Sequence, residues 1–155
     1  MTEALQLTLE PEPVEFPEAH YVFIEKRGNI PENAPTVWQQ LHAALPGICR
    51  ANTVTLFFSL YRMDEGQYRA GVAVDAPPRE LPDGLNYERF PGGRYRKFVL
   101  RGSYRQLGPA TGEAFRQVRE QGIRLRDGFN IENYVNDPRT TPEAELITEI
   151  LFPID

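Results

Sequence analysis

The chain opens with alternating apolar and polar residues over 4–10, where Leu5, Leu7 and Leu9 share one side, as a half-buried strand requires. Pro11, Pro13 and Pro17 then interrupt the alternation. The aromatic and β-branched run His20 to Lys26 predicts a second strand, ended by a turn at Arg27-Gly28-Asn29. From Thr36 the apolar spacing becomes helical: Val37, Trp38, Leu41, Ala44 and Leu45 form one stripe, with Pro35 suited to the first turn and Pro46-Gly47 to the end. Thr53 to Tyr61 and Tyr68 to Val74 predict a hairpin around Asp64-Glu65-Gly66. Asp75 to Asp83, with three prolines, reads as a linker. Beyond it come a short strand at Tyr87 to Phe90, a strand from Tyr95 to Arg101 and a turn at Gly102-Ser103. A helix from about Pro109 to Gln121 closed by Gly122 follows, then strands at Phe129 to Val135 and Leu146 to Ile154.

The order of elements repeats. Each half reads strand, strand, helix, strand, strand, over about 4–75 and 84–154, and Arg27-Gly28 answers Arg101-Gly102 as Tyr61-Arg62-Met63-Asp64 answers Tyr134-Val135-Asn136-Asp137. A unit of this kind hides one face of a small sheet beneath one helix. The expected fold is α+β: a tandem pseudo-twofold repeat of β-β-α-β-β units in a mainly antiparallel sheet, with two helices on one face and a central cleft.

At 155 residues the chain is one domain's length, and 41% apolar residues can supply a core. A net charge of −5 disfavours non-specific attraction to nucleic acid. Arg89, Arg94, Arg96, Lys97, Arg101 and Arg105 interleave with Tyr95, Phe98 and Tyr104; the alternative to a nucleic-acid patch is a solvated strand face whose charges balance nearby acids. Cys49 has no partner for an internal disulfide. His20 and His42 lack metal-ligand spacing, and none of the three sits in an activating motif, so no metal or cofactor is expected. No stretch has the roughly 18 apolar residues that span a bilayer, and the acidic N-terminus lacks a targeting pattern, so a cytoplasmic protein without a membrane partner is expected.

The chemistry concentrates in the last two strands. Glu149 lies in the apolar run Leu146 to Ile154 and Glu132 seventeen residues earlier; as hairpin partners they can face each other across the ladder in an oily setting. A carboxylate taken from water must be paired, hydrogen-bonded or protonated. The alternatives are plain: Glu132 on a solvated edge, and Glu149 paired with an arginine or a backbone donor at a sheet seam. Tyr134, two residues from Glu132, shares its strand face and can lend a hydroxyl, or simply pack. Tyr104 follows the second glycine turn, Phe58 lies in a strand divided between core and cleft by alternation, and Trp38 sits on an apolar helix stripe where a core role competes with a ligand platform. Glu132, Glu149, Tyr134, Tyr104, Phe58 and Trp38 are the binding candidates.

Arg101-Gly102-Ser103-Tyr104, Phe129-Asn130-Ile131-Glu132-Asn133-Tyr134, Asn136-Asp137-Pro138 and the closing Thr148-Glu149-Ile150 resemble the GyrI-like family, the effector-binding domains of AraC-type and MerR-type regulators that also occur as free-standing proteins. The resemblance extends from about residue 5 to the end. It implies a tandem α+β pair around a cleft lined by aromatics and an acidic residue, with Glu132 and Glu149 at the positions that serve lipophilic cations in such regulators. The partner it implies is a small hydrophobic or cationic ligand, bound or sequestered without catalysis. A second implied class is hydrolysis of reactive cyclopropane-type toxins, with Glu132 and Tyr134 activating water, and a third is a protein partner such as a topoisomerase. With strand-like sequence beginning at residue 4, no preceding helix-turn-helix is expected, and direct nucleic-acid reading is not expected either.

Overall fold

Period-two runs become antiparallel strands, and the two apolar stripes become helices, in a computed structural model that describes residues 5–8 and 10–154. Two compact units result: residues 16–93, and residues 94–155 together with the N-terminal segment up to Glu15.

In the first unit, β3 (Ala19–Arg27) leads into α1 (Ile30–Cys49), then β4 (Val54–Arg62), β5 (Gln67–Val74) and β6 (Asn86–Phe90), and the strands lie in the order β4-β5-β3-β6. Val22, Tyr61, Tyr68, Ala70, Val72 and Val74 pack with Val37, Leu41 and Ile48 of α1. The opposite face is aromatic: Phe58 lies 4.5 Å from Tyr21 and 5.2 Å from Phe16, ring centre to ring centre, and Phe90 closes the group. Gly71 makes this stacking possible, because a Cβ there would stand 2.4 Å from the Tyr21 ring. Arg69 lies over the Phe23 ring and bridges Glu25 and Glu88, each at 2.7 Å. These contacts hold the Glu25 carboxyl below its ordinary range: burial pushes it up, but hydrogen bonds from Gln67 and Arg69 and the neighbouring guanidinium charges outweigh that.

The other unit repeats the wiring. β7 (Gly93–Arg101), α2 (Leu107–Glu120), β8 (Asn130–Tyr134) and β9 (Ile147–Pro153) assemble as β7-β9-β8, just as β3, β4 and β5 assemble as β3-β5-β4. β1 (Gln6–Leu7) and β2 (Glu12–Phe16) add to β7. Phe98, Leu100, Ile150 and Phe152 form the core with Ala110, Ala114 and Val118 of α2, whose short side chains let the helix approach the sheet. The two Arg-Gly turns match in conformation as well as in sequence: Gly28 and Gly102 both have φ of +131°, a region open chiefly to glycine, and their N–H groups donate to Gly66 O and Leu146 O.

Several boundaries differ from the sequence expectation. Residues 11–17 are not simply an interruption, since Pro13 sits within β2, whose partner is β7. A strand can hold proline where the missing N–H costs no ladder bond. Of the strand expected at 4–10, Gln6–Leu7 pairs with Leu100 and Arg101, whereas Ala4 and Leu9 lie outside the described residues. Helix α1 begins six residues before Thr36 and runs past Pro46-Gly47, because Asn29 Oδ1 accepts the Glu32 N–H as a cap and Ile30 and Ala34 extend the stripe toward the core. Pro35 and Pro46 are both interior. None of the helices among the described residues is long and apolar enough to cross a membrane.

Gly71→Ala is expected to destabilise the protein by about 2–3 kcal/mol, since the added methyl must displace Tyr21 within a filled aromatic layer. Urea unfolding of the two proteins measures it.

Candidate functional site

Strand pairing decides which side chains meet. Glu132 lies opposite Ile150 and Tyr134 opposite Thr148, so these four share one face of the β8–β9 ladder; Phe98 and Leu100, opposite Ile150 and Thr148 on β7, belong to the same face, and it is the one α2 covers. Asn133 lies opposite Glu149, which places both on the reverse face. The expected confrontation of Glu132 with Glu149 is therefore corrected: they occupy opposite sides of the same sheet, because their positions in the register differ in parity.

Glu149 has a complete environment of its own. Lys97 Nζ stands 3.2 Å from its carboxylate, and Asn133 Nδ2 donates to it at 2.9 Å. The lysine is shared with Glu12 at 3.7 Å. Burial depresses the Lys97 pKa, but the hydrogen bond and charge of Glu149, with Glu12 behind them, raise it overall. This is the paired-carboxylate alternative, with lysine in the place of arginine.

Glu132 has no cationic partner among the described residues. The Tyr134 hydroxyl donates to its Oε1 at 3.0 Å, and the edge of one ring meets the other between Tyr104 and Tyr134, with centres 5.5 Å apart. The Glu132 residue keeps some accessible surface, yet enough protein surrounds the carboxyl that desolvation pushes its pKa up to about 7, against the opposing pull of the Tyr134 hydrogen bond. Burial also raises Tyr104, helped by the charge of Asp137. A carboxyl with this pKa can accept a proton or release one near neutrality, and it attracts a cation strongly when ionised.

The surrounding turns hold these rings. Tyr104 begins a 3-10 turn, Tyr104–Gln106, placed by Ser103: its Oγ accepts the Arg105 N–H at 3.1 Å and donates to Glu143 Oε1 at 2.6 Å, while Arg105 Nη2 reaches the same carboxylate at 2.9 Å. Asn136 staples the segment after β8, donating to Glu145 O at 3.0 Å and accepting the Ile147 N–H at 2.9 Å. The structure thus brings together Glu132, Tyr134 and Tyr104.

It does not add Phe58 or Trp38 to that group. Phe58 is completely buried among Tyr21, Phe16 and Phe90, which leaves it no surface to offer a ligand. Trp38 packs against the core under α1, where its Nε1 donates to the Tyr68 hydroxyl at 2.7 Å. Thr148 was missed by sequence reasoning. It is fully buried and its Oγ1 has no hydrogen-bond partner; the available signal was a polar residue in an apolar closing strand, two positions from Ile150. The basic stretch around Tyr95 is a charge-balanced surface at several points: Arg89 pairs with Glu18, Arg94 with Glu15, Lys97 with Glu12 and Arg105 with Glu143.

A family model described as GyrI-like small molecule binding domain matches residues 9–155. Among solved structures, the EcmrR C-terminal domain is similar at 20% identity with a TM-score of 0.73, covering 99% of both chains. SAV2435 bound to tetraphenylphosphonium is similar at 13% identity and TM-score 0.73, with 94% of each chain covered. A hydrolase from Listeria innocua is similar at 14% identity and TM-score 0.61, over 95% of this chain and 92% of that one. At such identities the likeness is one of fold. No sequence among curated proteins matches the chain.

Folding raises the Glu132 pKa from 4.5 to about 7, so the folded protein favours the neutral carboxyl. Stability is then lost as pH rises from about 4.5 to about 7, and the full cost persists above that. Glu132→Gln is expected to gain on the wild type by about 1–3 kcal/mol between pH 5 and pH 8. Denaturant titrations at the two pH values check this; a gap that stays constant would contradict it.

Proposed function

The chain belongs to the GyrI-like small-molecule binding family, and from that premise we propose that it binds an amphipathic cation at Glu132, with Tyr134 and Tyr104 supplying aromatic surface. The observation that carries this reading is a shielded carboxyl with a phenol as its hydrogen-bond partner and no cation of the protein's own beside it among the described residues. A guest cation supplies the missing charge. Ring faces attract the same cation through their quadrupoles, while their breadth tolerates varied shapes. The tetraphenylphosphonium carried by the structurally similar SAV2435 is a guest of this chemistry and the natural first probe.

Cation binding and protonation compete for the same carboxyl. Affinity for tetraphenylphosphonium is therefore expected to rise with pH up to about 7 and level off above it, with a proton released on binding at lower pH. Calorimetry in buffers of different ionisation enthalpy reads both effects. At high pH, Glu132→Gln is expected to weaken the cation roughly tenfold or more while sparing triphenylphosphine oxide, its neutral relative, and Glu149→Gln is expected to leave both nearly unchanged. Equal losses for cation and neutral compound in Glu132→Gln would remove the proposal.

One observation favours a second reading. A carboxyl whose pKa is about 7 and which is hydrogen-bonded to a tyrosine hydroxyl is suited to deprotonating water, so hydrolysis of a strained electrophile is the alternative. Under that reading Glu132→Gln abolishes turnover and leaves substrate affinity largely intact. Absence of turnover across a panel of cyclopropane-bearing electrophiles would discard it.

A further inference from the structure

Arg96 continues the row of Phe98 and Leu100 along β7, opposite Phe152 of β9, so it stands on the α2-covered face beyond the core that those rings form. Its Nε is buried without a hydrogen-bond partner, and its Nη1 reaches Pro11 O at 3.5 Å, a long contact. Neighbours in the basic stretch are answered by acids, Arg94 by Glu15 and Lys97 by Glu12 and Glu149, whereas Arg96 has no acidic partner among the described residues. A guanidinium donor withdrawn from water and left unpaired is costly, and an oxyanion is the partner that completes it.

An open pocket of about 270 Å³ lies at this place, lined by Arg96, Gln121, Gly122, Ile123, Arg124 and Ile154. The end of α2 forms one wall. Gly122 takes φ of +67°, and the Gly122 and Ile123 N–H groups donate back to Arg119 O and Val118 O, which occupies carbonyls of the last turn and blunts the helix's negative end. The chain beyond is tied to the end of β9: Leu125 bridges Ile154, the Arg126 N–H donates to Pro153 O at 3.0 Å, and Arg126 Nε donates to Ile154 O at 3.2 Å. Arg124 therefore enters the pocket from a held backbone, and it too has no acidic partner among the described residues.

We propose that this pocket binds a phosphate monoester, with the dianionic head between Arg96 and Arg124 and the carbon body against Ile123 and Ile154. A planar guanidinium presents paired N–H donors to two oxygens of one phosphate, and two such groups balance the two charges that a phosphomonoester carries above its second pKa of about 6. The chain's net charge of −5 repels anions at long range, so the site works through local pairing. It shares no residue with the Glu132 site and does not rest on the cation reading.

The test is calorimetric titration at about pH 7.5 and low salt with phenyl phosphate, and with inorganic phosphate as its head alone. The wild type is expected to bind phenyl phosphate saturably at one site and inorganic phosphate about tenfold more weakly, since the free ion leaves the isoleucines uncovered. Arg124→Gln, at an exposed position, and Arg96→Lys, which keeps the charge but loses the planar fork, are each expected to weaken phenyl phosphate by about tenfold. Arg79→Gln, exposed in the other unit, is expected to leave it unchanged, as is Glu132→Gln. Thermal unfolding of Arg96→Lys separates loss of fold from loss of recognition, and Arg124→Gln alone carries the test if the buried substitution unsettles the protein. No saturable binding to the wild type, or equal losses in Arg79→Gln and Arg124→Gln, would overturn the proposal. Inorganic phosphate binding as tightly as its phenyl ester would overturn the choice of an ester and the role of the isoleucines.

Discussion

The pairing of Glu132 with Ile150 across β8 and β9 is the constraint on which the candidate site depends. Side chains alternate along a strand, so this one match sends Glu132, Tyr134 and Thr148 to the face under α2, and Asn133 and Glu149 to the other. A slip of β9 by one residue would turn Glu149 onto the core-facing row and set it opposite Glu132. The apolar run in β9 opposes such a slip, because Ile150 and Phe152 would leave the cluster they form with Phe98, Ala110 and Ala114. Hydrophobic packing against the helix therefore determines which acid lacks a cationic partner among the described residues.

The two carboxylates show what that difference does. Glu149 has an ammonium and an amide within hydrogen-bonding range, and its charge is balanced inside the protein. Glu132 has a phenol, which can stabilise a carboxylate by one hydrogen bond but cannot supply charge. Desolvation then dominates, and the proton is held up to about pH 7. Two glutamates on adjacent strands thus come to different electrostatic states, one balanced by an ammonium and one hydrogen-bonded to a phenol alone.

The internal repeat makes the same point by contrast. β3-α1-β4-β5 and β7-α2-β8-β9 share a strand order, and Tyr61 and Tyr134 occupy like places near the ends of β4 and β8. Two residues before each tyrosine stands Ser59 in one unit and Glu132 in the other. In the Ser59 unit, Trp38, Tyr61 and Tyr68 occupy the space between helix and sheet; in the Glu132 unit the helix contributes Ala110 and Ala114. Both cores contain aromatic rings, Phe98, Phe115 and Phe152 in the second, and the copies differ in carrying a buried serine in one and a glutamate in the other two residues before the tyrosine.

Much of this was readable along the chain. Alternation located the strands and helical spacing the cores of both helices, because those periods are imposed by backbone geometry wherever one face is buried. The paired Arg-Gly turns were readable too, since only glycine adopts their φ without strain. The cap that starts α1 at Asn29 and the strand holding Pro13 were obscured by prolines that read as breaks. The sequence also put forward Glu132, Tyr134 and Tyr104, together with Glu149, Phe58 and Trp38, as binding candidates. What the chain alone could not assign was side: whether Glu149 joins Glu132, whether Phe58 and Trp38 line a site or fill a core, and that Thr148 buries an unpaired hydroxyl. Those outcomes belong to the register between strands distant in sequence and to packing against a helix, and they exist only once the tertiary contacts form.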